Sequence, residues 1–292
     1  MAFKAGFVNI LGRPNVGKST LMNALTGEKL SIITDKAQTT RHRIRGIVNG
    51  EGYQIVFTDH PGILKPAYKL HESMMRFVDD ALDDADVILY VAEAGEKSGP
   101  EEVITRINAC AVPVIVLINK IDLSETTAVE NSVALWKSLI PRSEILPLSA
   151  LHSFNTDMLL DKLLRILPEH EPYFSEEDLT DLSERFFVAE IIREKIFMYY
   201  TKEIPYSCEV QIESFKEEES IIRISAVIHV ERESQKGILL GHQGSALKKM
   251  ATKARQGIES FLGKHVFLEI FIKVTKDWRN NPKELRRFGY DF

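Results

Sequence analysis

Residues Gly12–Ser19 read GRPNVGKS, a glycine-rich loop between an apolar run, Gly6–Leu11, and a helix-forming stretch, Lys18–Leu25. The pattern G-x-x-x-x-G-K-[ST], set between a strand and a helix, is a phosphate loop, and few short patterns constrain a fold so tightly. Backbone N–H groups from Gly12 to Thr20 can wrap phosphates, with Asn15, Val16 and Gly17 at the bend, and the helix N-terminus adds a favourable dipole. Lys18 is expected to reach the β- and γ-phosphates of a nucleotide, and Ser19 to hold Mg2+ through its hydroxyl.

The surrounding chain carries the matching rhythm. Further strand candidates are Arg45–Val48, Tyr53–Thr58, Val87–Ala92, Val114–Ile118 and Ile145–Leu148. Helical patterns fall near Leu70–Asp83, Glu101–Cys110, Val129–Leu139 and Thr156–Leu167. Runs such as VILYVA and VIVLI are apolar without alternation, which suits strands covered on both faces. Strands alternating with helices predict an α/β domain, a doubly wound and mostly parallel sheet, over residues 1–168. Residues 169–183 are rich in acids and prolines and read as a linker. Residues 184–292 have a different order, helix, two strands, basic helix and strand, and predict a second, α+β domain.

Asn119–Asp122 reads NKID directly after the run VIVLI. A carboxylate there can accept from guanine N1–H and the exocyclic amine together, a donor pair that adenine lacks. Asp122 is the expected specificity residue, with Asn119 bracing the loop and Lys120 lying along the base. Ser149, Ala150 and Leu151 follow another strand, where the Ala150 N–H is expected to meet guanine O6. Between these motifs Asp59–Gly62 reads DHPG. Asp59 fits a carboxylate that holds Mg2+ through water, and the Gly62 N–H fits a sensor of the γ-phosphate. Pro61 completes the motif. Upstream, Thr39 and Thr40 offer a hydroxyl that would ligate Mg2+ only with the γ-phosphate present, and Thr40 is preferred. Loss of those contacts on hydrolysis would release both loops, which is the order–disorder logic of a switch. Ile63 cannot orient a water through its side chain, so intrinsic hydrolysis is expected to be slow or to use another element. His60 is expected to be a solvent-exposed substitution.

In the second domain, Gly241–Gly244 reads GHQG and is followed by the helix pattern SALKKMATKAR. The order of elements around it resembles the type II KH fold. That resemblance implies a clamp for about four nucleotides, formed by Gly241, His242, Gln243 and Gly244. Lys248 and Lys249, followed by Lys253 and Arg255, would supply phosphate contacts. Of the aromatic residues, Phe186, Phe187, Phe197, Tyr199 and Tyr200 are expected in the core, and Trp278, in a polar tail, is the better candidate for a contact.

The net charge of −5 weighs against a uniformly basic nucleic-acid binder, yet it is an average. From Arg232 to the end, 13 Lys and Arg stand against 6 Asp and Glu. The basic stretch coincides with the GHQG helix and tail. Cys110 and Cys208 make neither a disulfide scaffold nor zinc spacing and read as free thiols of a reducing compartment. No run approaches the roughly 18–20 apolar residues of a membrane-spanning helix, and a signal-peptide layout is missing, so a cytoplasmic protein is expected.

The four motifs GRPNVGKST, AQTTRHRI, D-x-P-G and NKID, with the closing KDWRNNPKELRRFGYD, resemble the Era family of GTPases over nearly the whole chain. The family usually has threonine where this chain has His60. The resemblance implies a GTP-hydrolysing P-loop domain joined to an RNA-binding KH domain, with GTP, GDP and Mg2+ as ligands. It also implies K+ held by Asn15, binding near the 3′ end of small-subunit ribosomal RNA, and action in assembly of the small ribosomal subunit; a monomer is expected. Peripheral association with the inner face of the cell membrane is implied too, although no amphipathic anchor is visible. Two alternatives stay open at this point: an RNA-binding module that barely turns GTP over, and a GTPase whose KH-like half binds protein.

Overall fold

The computed structural model describes residues 2–290; Met1, Asp291 and Phe292, at the outer ends of the two expected domains, lie outside the described residues. The chain clusters into two compact units, Met1–Lys65 with Met74–Asp181, and Pro66–Ser73 with Leu182–Phe292.

In the first unit the apolar runs become strands β1 (Lys4–Gly12), β2 (Ile44–Gly50), β3 (Tyr53–Asp59), β4 (Val87–Glu93), β5 (Val114–Asn119) and β6 (Glu144–Pro147). They form one sheet in the order β2-β3-β1-β4-β5-β6. Neighbours are parallel except for the antiparallel pair β2–β3. Helices α1 (Lys18–Thr26), α2 (Lys69–Asp83, of which Met74 onward belongs to this unit), α3 (Glu101–Ala109) and α4 (Thr126–Leu139) lie between successive strands, and α5 (Thr156–Ile166) follows β6. Residues Val87 to Ala92 of β4 are wholly buried, which is why that run shows no alternation. Strand order runs outward on both sides of β1, through β3 one way and β4 the other. Such a reversal leaves a crevice at the carboxyl ends of the strands, and the phosphate loop leaves β1 at that point.

The segment expected to be a linker instead lies against this unit. The Ala5 N–H donates to Pro168 O at 3.3 Å and the Ile47 N–H to Leu179 O at 2.9 Å. Gln54, fully buried, accepts from the N–H groups of Tyr173 and Phe174 and donates to Phe174 O. Arg45 pairs with Asp181 at 2.5 Å. At the β2 edge the strap meets the Ile47 N–H and the Asn49 side-chain amide, and so covers part of an edge that could otherwise template another strand. Its prolines and acids suit an extended outer strip as well as they suit a tether.

The second unit holds α6 (Glu184–Tyr199), a short α7 (Ile204–Ser207), β7 (Glu209–Glu217), β8 (Ile222–Val230), α8 (Glu233–Leu240), α9 (Ser245–Leu262), β9 (Val266–Val274) and α10 (Pro282–Arg287). The sheet order is β7-β8-β9, antiparallel and then parallel. Ile192 and Ile196 of α6 and Met250, Ala254 and Ile258 of α9 pack with Ile224, Ala226 and Ile228 of β8 in one core. Alternation along the strands turns Glu209 and His229 to the other face, and the tail packs there. Tyr290 donates its hydroxyl to Glu209 at 2.8 Å, and Phe288 lies 4.8 Å from the His229 ring. Trp278 is part of this packing. It is fully buried and its indole N–H donates to Ser207 O at 2.9 Å, so the expectation of a contact residue is corrected. Phe187, Phe197 and Tyr200 are buried as expected, whereas Tyr199 is exposed.

Candidate functional site

The phosphate loop surrounds a cavity of about 480 Å³, lined by Pro14, Asn15 and Gly17–Thr20 on one side and by Ile32–Asp35 and Gln38–Thr40 on another. Gly62 and Lys120 complete the lining. Gly17 has φ +97°, and a Cβ there would sit 2.3 Å from Asn119 Nδ2, so both conformation and space require glycine. Gly62 packs against Pro14, where a Cβ would come within 2.8 Å of the backbone. Lys18 is buried and donates to Arg13 O at 3.0 Å. Burial lowers its pKa to about 8, with Asp59 pulling the other way. Asn15 donates its amide to Asp35 O at 2.9 Å, which ties the loop to the segment before Thr39.

Ser19, Thr40 and Asp59 converge. Ser19 Oγ donates to Asp59 Oδ2 at 2.7 Å and lies 2.9 Å from Thr40 Oγ1, which is 3.3 Å from the same carboxylate oxygen. Burial raises the Asp59 pKa against the pull of Lys18 and of the Ser19, Ser31 and Thr40 hydroxyls. Asp59 Oδ1 is buried with no hydrogen bond. Two hydroxyls and a carboxylate with an unmet buried oxygen form a hard-oxygen donor set that fits Mg2+. Thr39 is placed differently, with its hydroxyl 2.6 Å from Thr34 Oγ1 and donating to Lys36 O.

His60 departs from expectation. It is fully buried, and its pKa is lowered to about 3 by desolvation first and then by the charges of Arg43, Lys18 and Arg45. The neutral ring is part of the packing beneath the DHPG turn, not a solvent-facing substitution. Pro61 is buried beside it. Ile63 turns its side chain into the core around Val78 and Tyr90, and its N–H donates to Gly12 O at 3.0 Å.

At the other end, Asn119 joins three loops. Its Nδ2 donates to Val16 O at 2.8 Å and its Oδ1 accepts from the Ala150 N–H at 2.9 Å. That N–H, expected to face guanine O6, is here engaged by Asn119. Ser149 Oγ donates to Asp122 Oδ1 at 2.6 Å, and this bond leads the causes that hold the Asp122 carboxyl below its ordinary pKa. Leu151 is exposed. Lys120 pairs with Glu93 at 2.9 Å, and Arg13 pairs with Glu96 at 3.1 Å. Neither glutamate is marked by a motif; only the pairing of β4 with β5 brings them to the site.

In the second unit the GHQG loop forms a single 3₁₀ turn between α8 and α9. Gly241 and Gly244 both have positive φ, +67° and +76°. His242 and Gln243 are exposed, as are Lys248 and Lys249 on the first turns of α9. Ile238 of α8, half exposed, offers apolar surface beside the loop. Lys249 Nζ lies 5.5 Å from the Tyr199 ring centroid. Arg255 is committed to an ion pair with Glu259 at 2.7 Å.

Among the described residues, no helix is long and apolar enough to cross a membrane. A family model for 50S ribosome-binding GTPases matches residues 7–120, and a KH-domain model matches residues 203–279. The chain is 46% identical to the GTPase Era of Syntrophus aciditrophicus (strain SB), over 99% of this chain and 96% of that protein. The crystal structure of a tyrosine-to-alanine variant of Aquifex aeolicus Era bound to GDP.AlF4- is 42% identical, with a TM-score of 0.95 over 99% of this chain and 100% of that one. Era in complex with MgGDPNP and nucleotides 1506–1542 of 16S ribosomal RNA has a TM-score of 0.93 at 42% identity and the same coverage. With this geometry and a likeness that spans its whole length, the chain belongs to the Era family and is a GTPase, converting GTP and water to GDP and phosphate.

Proposed function

We propose that this GTPase is a switch that binds small-subunit ribosomal RNA near its 3′ end through its KH domain and acts in small-subunit assembly, as a cytoplasmic monomer. The observation that carries the reading is the GHQG turn. Two glycines with positive φ there let backbone approach a phosphate, and the exposed Lys248 and Lys249 follow within the next turn. The 16S RNA complex of a relative with 42% identity supports the choice of RNA.

In the nucleotide site, Asp122 accepts from guanine, held in place by the Ser149 hydroxyl, while Lys18 reaches the phosphates. Ser19 and Thr40 would hold Mg2+, with Asp59 behind them; the ion would neutralise charge on the transferring phosphoryl group. Thr40 and the Gly62 N–H belong to different loops, so a γ-phosphate that engages both orders both. Ile63 points into the core and leaves the attacking water to other groups. Asn15, whose amide nitrogen is taken by Asp35, retains its amide oxygen for K+.

Coupling of the GTP form to RNA is reciprocal if it is thermodynamic. The affinity of a GTP analogue should therefore rise when a 16S 3′-end fragment is bound; equal affinities would sink the coupling. In a Gly241→Asp, Gly244→Asp double variant, and separately in Lys248→Glu, Lys249→Glu, RNA binding should be lost with GDP binding retained. Full RNA binding by both variants would overturn the GHQG turn as the RNA site.

A further inference from the structure

The turn that follows β4 touches both ends of the nucleotide site. Glu93, the last residue of β4, lies opposite Asn119 in the sheet register. Its carboxylate is 2.9 Å from Lys120 Nζ. Three residues on, Glu96 folds back, accepts from the Glu93 N–H at 3.3 Å and places its other oxygen 3.1 Å from Arg13 Nε. Gly95, with φ +87°, makes this reversal, and its N–H donates to Ser132 Oγ of α4 at 2.9 Å. Arg13 in turn offers its carbonyl to Lys18 Nζ.

We infer that Glu93 and Glu96 are positioning residues for nucleotide binding, one for the base and one for the phosphates, carried on a single strut. The inference rests on the reading of Lys120 and Asp122 as the guanine end of the site. An ammonium anchored on Glu93 keeps the four-methylene stem of Lys120 extended as a wall for the base. It also keeps that ammonium off Asp122, whose carboxylate feels the Lys120 charge and would be less free for guanine if the two paired. Glu96 acts at the other end. Its charge fixes Arg13, and the Arg13 carbonyl fixes the ammonium that meets the phosphates. The Glu96 side chain is 10% exposed against 45% for Glu93, so the Arg13–Glu96 pair is the less screened of the two at its carboxylate.

The two roles separate with ligands that contain or lack phosphate. Glu93→Gln should weaken guanosine and GDP alike, by about 1.5- to fivefold, the range for a partly exposed ion pair. Glu96→Gln should weaken GDP by a similar factor and leave guanosine alone. In multiple turnover both should raise KM for GTP more than they lower kcat. In a Lys120→Met background, Glu93→Gln should cost nothing further for guanosine, because the group it anchors is gone. Losses of equal size for guanosine and GDP in both variants would indicate general loosening and overturn the inference, as would no loss in either. Asp122→Asn is the control for the underlying reading. If it leaves guanosine affinity intact, the guanine end is misplaced and the inference falls with it; if guanosine is lost there but not in Glu93→Gln, only the strut is wrong.

Discussion

Asn119→Ala removes one side chain and strands two buried backbone groups. Val16, whose carbonyl takes the Asn119 amide, is 4% exposed, and Ala150, whose N–H meets the Asn119 carbonyl, is 2% exposed. Leaving a buried donor or acceptor unmet costs about 1–3 kcal/mol each, so the pair is worth about 2–6 kcal/mol. The free protein can relieve part of this by letting the phosphate loop and the Ser149–Ala150 turn relax. Bound nucleotide needs both in place, so the relief returns as lost affinity. The lower bound of about 2 kcal/mol corresponds to a roughly 30-fold weaker GDP complex. Competition against a fluorescent GDP, with a thermal melt of the same preparation, measures both halves. Asn119→Asp keeps the acceptor for Ala150 and sets a carboxylate against the Val16 carbonyl, so it should fall no less than Asn119→Ala. GDP affinity within threefold of the parent, with an unchanged melt, would refute the claim that this side chain holds the three loops together.

Trp278→Ala empties a fully buried site and should destabilise the second unit by about 3–5 kcal/mol, seen as faster amide exchange over β7 and β8 in the intact chain, with GDP affinity kept. Trp278→Phe preserves most of the packing and should cost about 1–3 kcal/mol through the unmet Ser207 carbonyl. His229 gives a pH signature. Burial, with Arg287 of α10 and Lys273 of β9 adding repulsion, lowers its pKa to about 4, while Glu209 lies opposite it on β7. The unfolded chain binds that proton from about pH 6.5 downward and the folded chain does not, so stability is complete above about pH 6.5 and falls as pH drops towards 4, by about 3 kcal/mol at most. Denaturation midpoints of the second unit across that window should fall more steeply with decreasing pH in the parent than in His229→Gln.

What could be read from the chain divides by distance along it. GRPNVGKS, DHPG, NKID and GHQG are contiguous, and each carries its own backbone demand, so the elements around them were legible to within a few residues. The Ser19–Thr40–Asp59 convergence was legible too, because each member lies in or beside a motif. Glu93 and Glu96 were not, since neither spacing nor type marks them; a strand register brings them to Lys120 and Arg13. His60 looks polar in a turn, yet the turn is roofed over, and only the tertiary fold reveals a neutral buried ring. Trp278 sits among charged residues that read as a solvated tail, while the tail folds back onto the second face of a sheet. The stretch 169–183 has the composition of a tether because backbone hydrogen bonds to a sheet edge leave no trace in composition.

That strap bears on how the first unit is made. Synthesis delivers β1 first, but its neighbour Pro168 and the cover of Ile47 at Leu179 emerge more than 150 residues later. The sheet can therefore begin to assemble on the ribosome long before its β2 edge is closed, and the nascent unit carries an open strand edge until Asp181 has left the exit tunnel. A shortened chain ending at residue 168 would keep that immature edge permanently and should self-associate, whereas one ending just after Asp181 should behave as a finished domain.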